Sequence, residues 1–146
     1  MRLRWSALVV LVLTLGLMPR DGFAQGTAQK VEIGTKQNFP NPFNPETRAE
    51  FTIDLATCTS GGPLHKVSVK IYNLVAQLVA IPVLQGGTGS VAGGQPLLNV
   101  LLPCGQYTWY WNGNYQGTSK EAASGVYLVS YEIDGQRKTI KIMNAK

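Results

Sequence analysis

Apolar and polar residues alternate with a period of two in several short stretches of this chain. Residues 50–55, 66–71 and 107–111 each carry an apolar side chain at every second position. Successive side chains of a strand point to opposite faces of a sheet, so this alternation predicts strands with one buried face. The three aromatic residues at alternate positions of the last stretch are therefore expected in the core.

A β-hairpin is predicted near the end of the sequence. Residues 126–133 and 136–143 are both rich in apolar side chains, and they flank the dipeptide Asp134-Gly135. A two-residue type I′ turn requires a positive φ at both central positions, and Asp-Gly is among the dipeptides that adopt it most readily. We therefore expect two antiparallel strands joined by a tight turn.

Two less regular stretches complete the predicted strands. Residues 77–84 are apolar enough for a strand, but Pro82 restricts that strand to an edge or a bulge. Residues 97–102 are a further short candidate. No stretch shows a sustained period of 3.6 residues, and about seven short strands predict an all-β fold, an antiparallel β-sandwich of two sheets.

The first segment has the features of a secretion signal. Arg2 and Arg4 precede an apolar run over residues 7–18, and small residues then frame Phe23 as they do at a cleavage site. The run is too short to cross a bilayer, which takes about 20 residues. We expect cleavage after Ala24 and no membrane span afterwards; an uncleaved N-terminal anchor is the alternative.

The length allows one domain after this signal. We predict a signal peptide over residues 1–24, an N-terminal lead over 25–36 and one β-sandwich domain over 37–146. The 16 glycines and 8 prolines fit a domain with many short connections.

The sequence offers few side chains for catalysis. It contains one histidine, two cysteines and eight acidic residues, and we predict no catalytic residue, no metal site and no cofactor. His65 is expected to be a solvated residue at a strand start, and Glu50 and Asp54 to form the polar side of a strand. The net charge of +5 includes the arginines of the signal, so the exported form lacks the basic character of a nucleic-acid-binding protein.

Export makes a disulfide bond the expected state of the two cysteines. Cys58 and Cys104 would meet an oxidising compartment, in which pairing is the ordinary outcome. Two free thiols are the alternative, because two cysteines and the distant His65 lack the number and spacing of a metal site.

A proline-rich segment precedes the first predicted strand. Residues 38–47 contain three prolines, each of which fixes its own φ and pushes the preceding residue towards extended geometry. The segment is therefore predicted to be semi-rigid and extended, with Phe39 and Phe43 as anchors along the sandwich. The side chains of Asn41 and Asn44 can close local turns.

Several motifs together resemble a known family. The strings QNFPNPFNPET, KVSVKIYNL, WNGN, ASGVYLVSYEIDG and KTIKIM occur in this order over about residues 37–143. They resemble the Ig-like domain of the bacterial flagellar hook-capping protein and the related C-terminal sorting domains of type IX secretion cargo. The resemblance implies an Ig-like fold, although Asn112 stands where the family usually has Asp. The motif residues are Asn41, Pro42, Phe43, Asn44, Pro45, Trp111, Asn112, Gly113, Ser124, Gly125, Val126 and Tyr127.

Three functions are consistent with these observations. The first is a free-standing, non-catalytic module with a structural or protein-interaction role, secreted to the surface or periplasm of a bacterium, with a protein partner or self-assembly. The second is a sorting domain whose last hairpin, residues 125–146, is read by an outer-membrane secretion machinery. The third is a carbohydrate-binding module that uses Tyr110 and Tyr115.

The last predicted strand is also a candidate recognition element. Arg137, Lys138 and Lys141 lie on it, and lysines commonly guard sheet edges against uncontrolled pairing. A partner that added a strand there would need acidic residues opposite this basic strand.

Overall fold

The computed structural model describes residues 30–87 and 91–146. The predicted signal peptide, residues 1–24, and its cleavage site lie outside the described residues. The described part contains nine strands and one short 3-10 turn at Leu55–Thr57. The strands are β1 Ile33–Thr35, β2 Thr47–Ile53, β3 Leu64–Tyr72, β4 Leu78–Ala80, β5 Val83–Gln85, β6 Val100–Pro103, β7 Gly105–Trp111, β8 Gly125–Ile133 and β9 Gln136–Asn144.

Two antiparallel sheets pack face to face, which confirms the predicted all-β, Ig-like sandwich. The four-stranded sheet has the order β1-β2-β7-β5, and the five-stranded sheet has the order β4-β3-β8-β9 with β6 also paired to β3. The strands outnumber the seven expected because β1 lies outside the predicted strands and because the stretch predicted as one strand over residues 77–84 forms two, β4 and β5. β1 pairs with β2, so the sheet begins at Ile33, inside the predicted lead.

The stretch predicted as one strand over residues 77–84 is divided between the two sheets. β4 pairs with β3, whereas β5 pairs with β7. Pro82 lies between them and has no N–H with which to continue a ladder. The Ile81 N–H donates to the Oε1 atom of Gln116 at 2.7 Å, so its donor is satisfied outside both sheets.

The predicted hairpin is confirmed. β8 and β9 pair from Ile133↔Gln136 to Gly125↔Asn144. Asp134 has a φ of 49° and Gly135 a φ of 81°, as a type I′ turn requires.

The core between the sheets is rich in aromatic residues. Trp109 is fully buried, and its Nε1–H donates to the hydroxyl of Tyr131 at 2.8 Å. Burial raises the pKa of Tyr131 to about 12, although the bond from Trp109 opposes this shift. Tyr107 and Trp111 are buried on the same face of β7, so the core position of all three alternating aromatic residues is confirmed.

The predicted disulfide bond between Cys58 and Cys104 is also confirmed, with Cα atoms 5.4 Å apart. The bond joins the connection between β2 and β3 to the residue that precedes β7. We call this end of the sandwich, which also holds the β8–β9 turn, the disulfide end.

Candidate interaction surface

Several motif residues meet at the end of the sandwich opposite the disulfide. Phe43 is buried, with its ring centroid 5.4 Å from that of Trp111, and Trp111 lies 5.7 Å from Tyr127. A Cβ atom on Gly113 would lie 2.0 Å from the carbonyl oxygen of Pro45, so only glycine fits this contact. The buried members of the motif set therefore hold the proline-rich segment against β7 and β8.

Other motif residues are exposed and serve local hydrogen bonding. The Oδ1 atom of Asn112 accepts from the Asn114 N–H at 3.0 Å, and the Ser124 hydroxyl accepts from the Lys146 N–H at 3.1 Å. Asn41, Pro42 and Asn44 are also exposed.

The proline-rich segment is not extended as predicted, because its two ends are bonded to each other. The Nδ2 group of Asn38 donates to the Oγ1 atom of Thr47 at 2.9 Å and to the carbonyl of Pro40 at 2.8 Å. The turn-forming amide is thus that of Asn38 rather than those of Asn41 and Asn44. The expectation for Phe39 was also wrong: its backbone pairs with Arg48, and its side chain is 68% exposed.

Residues 31–43 cover part of the outer edge of β9. The Phe43 N–H donates to Met143 O at 2.9 Å, and Ala145 N–H donates to Phe43 O at 3.0 Å. Further along the same edge, the Gln37 amide donates to Lys141 O at 3.0 Å. The carbonyls of Lys141 and Met143, which an added strand would need, are therefore already paired.

The candidate recognition strand does not present its three basic residues on one face. Arg137 and Lys141 point away from the core on the outer face of the five-stranded sheet. Lys138 belongs to the opposite row of β9, and its Nζ group donates to the Ile33 carbonyl at 2.8 Å. Lys138 therefore connects the edges of the two sheets.

The outer face of the four-stranded sheet balances its charges. Lys36 and Arg48 are matched by Glu46 and Glu50. Glu50 pairs with Lys36 and accepts a further bond from the Gln106 amide at 3.0 Å. The Tyr110 hydroxyl donates to Glu46 at 2.5 Å, a bond that raises the pKa of Tyr110.

The outer face of the five-stranded sheet is strongly basic, and we call it the basic face. Its charged residues, at alternate positions of three neighbouring strands, are Lys66, Lys70, Glu132, Arg137 and Lys141. Glu132 pairs with Arg137 at 3.1 Å. Within the described residues, the salt bridges include none of the three lysines of this face.

An apolar row crosses one end of the basic face. In register on neighbouring strands, Leu78 lies beside Tyr72, Tyr72 beside Leu128, and Leu128 beside Lys141. The next outward-facing pair along the hairpin is Val126 and Met143. These five apolar residues form the surface that we call the apolar ladder: Tyr72, Leu78, Val126, Leu128 and Met143.

His65 is buried, which corrects the prediction of a solvated strand start. It is 6% exposed, and its Nδ1 atom lies 2.7 Å from Oδ2 of Asp134. Its Nε2 atom lies 3.9 Å from Oδ2 of Asp54. Asp54 also accepts the Glu32 N–H at 2.5 Å, so this carboxylate serves structure at the disulfide end.

The two tyrosines of the carbohydrate hypothesis line one cavity of about 200 Å³, together with Trp111 and Asn114. Tyr115 packs against the core, and the ammonium of Lys120 lies 5.7 Å from its ring centroid. The Tyr110 hydroxyl is bonded to Glu46, and sugar binding by this pair stays a prediction.

No family model, curated protein or solved structure matches this chain. The family resemblance therefore rests on the sequence motifs alone. In residues 30–87 and 91–146, no helix is long and apolar enough to cross a membrane. The same residues contain no group of three or more side chains placed to hold a metal ion.

Proposed function

We propose that this chain is an exported, non-catalytic Ig-like module that binds a protein partner at the bacterial surface or in an extracellular assembly. The observation that carries the proposal is the difference between the two outer sheet faces. One face balances its charges, whereas the basic face sets four cations against a single carboxylate.

An uncompensated charge on one face favours association with an oppositely charged surface. Complementary charge raises the rate of encounter and selects against partners of like sign. Because Lys66, Lys70 and Lys141 form no ion pair with another described residue, their full charge is available to a partner.

The test compares two variants that lose the same charge on different surfaces. The first combines Lys66→Ser, Lys70→Ser and Lys141→Ser; the control combines Lys36→Ser, Arg48→Ser and Lys120→Ser. We expect the first variant alone to reduce retention at the surface of the native cell by about tenfold. Circular dichroism and sedimentation check that both variants fold. Equal retention of both variants would place the binding surface elsewhere.

A sorting role is the second candidate, and the exposed basic side chains of β9 favour it. β9 is an edge strand, and Arg137 and Lys141 project from it into solvent. A reporter fused in front of the module would be expressed in a bacterium that has type IX secretion. Surface delivery of this fusion, and its loss in the Arg137→Ser, Lys141→Ser variant, would support sorting. A fusion that stays in the periplasm would argue against it.

A further inference from the structure

The basic face carries information on the chemistry of its partner, and this inference rests on the proposed function. We infer that the partner is a polypeptide surface that presents carboxylates around an apolar centre. The apolar ladder receives that centre, and Lys70 and Lys141 receive the carboxylates.

The ladder places apolar surface where a soluble domain ordinarily has polar side chains. Leu78 is 50% exposed and Met143 is 45% exposed, while Tyr72, Val126 and Leu128 are half-buried between them. Exposed apolar residues that are contiguous and rimmed by polar groups mark interaction sites, whereas single ones are common. The register makes these five contiguous.

Two lysines stand directly beside the ladder. Lys141 is the cross-strand partner of Leu128, and Lys70 occupies the outward position that precedes Tyr72 on β3. Directly opposite residues in a sheet have Cβ atoms about 5 Å apart. A partner that covers the ladder must therefore bring acceptors for both ammonium groups, and carboxylates are the acceptors that also neutralise their charge.

Charge and shape argue against the other occupants. A second copy docked through the same face would place like charges together, which costs several kcal/mol. An anionic polysaccharide would satisfy the lysines but would leave Leu78 and Met143 exposed.

The experiment uses the exported protein labelled with ¹⁵N and four defined probes. These are an eight-residue peptide of alternating Glu and Val, polyglutamate, polygalacturonate, and vesicles of phosphatidylglycerol and phosphatidylcholine. We expect the Glu/Val peptide to bind more tightly than the two polyanions and to shift the amide signals of Tyr72, Val126 and Leu128.

Matched variants show which contacts carry the binding. Leu78→Ser with Met143→Ser is expected to raise the dissociation constant of the Glu/Val peptide about tenfold, and Lys70→Ser with Lys141→Ser by a similar factor. Leu55→Ser is the control, since Leu55 is 51% exposed and lies at the disulfide end. This control is expected to bind the peptide as the unaltered protein does.

Other outcomes would overturn the inference. Equal binding of polyglutamate or polygalacturonate would show that charge alone is recognised, and vesicle binding that depends on Leu78 and Met143 would indicate a membrane surface. Absence of peptide-induced shifts on the basic face would also reject it. If Lys70→Ser with Lys141→Ser reduces cell-surface retention but Leu78→Ser with Met143→Ser does not, the proposed function stands and the inference fails. If neither variant loses retention, both fail.

Discussion

His65 is a single residue whose role depends on two neighbours far away in the sequence. Its Nδ1 atom contacts the Asp134 carboxylate in the β8–β9 turn, and that carboxylate also accepts the Lys66 N–H at 2.8 Å. Burial acts to raise the pKa of Asp134, but the hydrogen bonds from His65 and Lys66 outweigh it, and the pKa lies below its ordinary 3.8. The ionised form of Asp134 therefore stabilises the folded protein.

The sign of this effect predicts how stability changes with pH. Because the folded-state pKa of Asp134 is lowered, its contribution is complete above the unfolded-state value and is lost as the pH falls through the lower, folded-state value. Asp134→Asn keeps a residue that tolerates positive φ, and we expect it to lower the free energy of unfolding by about 1 kcal/mol at pH 6. The difference from the unaltered protein should shrink below about pH 4. Urea unfolding across this range measures it, and a difference independent of pH would contradict the assignment.

Substituting two glycines that have similar backbone conformations distinguishes the cost of a steric contact from the cost of backbone strain. Gly113 has a φ of 82° and faces the Pro45 carbonyl. Gly117 has a φ of 70°, and a Cβ atom at this position would meet no residue other than its chain neighbours within 4 Å. Gly117→Ala should cost about 1 kcal/mol, the penalty of a side chain in the left-handed region. Gly113→Ala should cost more than about 3 kcal/mol, because the Pro45 backbone must also move. Chemical denaturation of both variants tests this, and equal losses would mean that the contact relaxes freely.

Individual strands were predictable where a local signal was sufficient. The Asp134-Gly135 turn and the alternation of β2, β3 and β7 depend only on neighbouring residues, so the sequence indicated them directly. The division of residues 77–84 depended on which sheet each half joins, a choice made by the distant strands β3 and β7. A continuous apolar run carries no information on that choice.

The candidate surface was only partly predictable for the same reason. Alternation along β9 separates Lys138 from Arg137 and Lys141, but a count of basic residues does not. The apolar ladder brings together residues from β3, β4, β8 and β9, which only the register aligns. Burial of His65 likewise depends on carboxylates contributed by two other elements.

The proline-rich segment packs one of its two aromatic side chains into the core. Phe43 packs against Trp111, while Phe39 of the same segment is exposed. Phe43→Ala should lower the free energy of unfolding by about 3 to 4 kcal/mol, since a fully buried aromatic ring is removed. Phe39→Ala is the matched control and should change it by less than about 0.5 kcal/mol. Equal effects of both substitutions in thermal and urea unfolding would show that Phe43 does not anchor the segment.

For the whole molecule, the disulfide limits the freedom of the unfolded chain. Cys58 and Cys104 are 46 residues apart, and closing a loop of that size stabilises the folded state by about 4 kcal/mol in the chain-entropy model. Reduction should lower the melting temperature but leave the sandwich folded, because both sheets bury their own apolar faces. Circular dichroism with and without reductant measures this. Alkylation of two thiols in unreduced native protein would contradict the bond.

The parallel course of β9 and the segment that begins with β1 has a mechanical consequence. Lys138 bonds to Ile33 and Gln37 bonds to Lys141, so the two run side by side in the same direction. A force applied at Val31 and Asn144, directed outwards at opposite ends of the sandwich, acts along both strands. It loads the ladders of β1 with β2 and of β8 with β9 in shear, so that many hydrogen bonds must rupture together instead of opening one after another. A module that is attached at one end and bound to a partner at the other would thus resist extension. The force that it withstands would be set by its rate of unfolding under load.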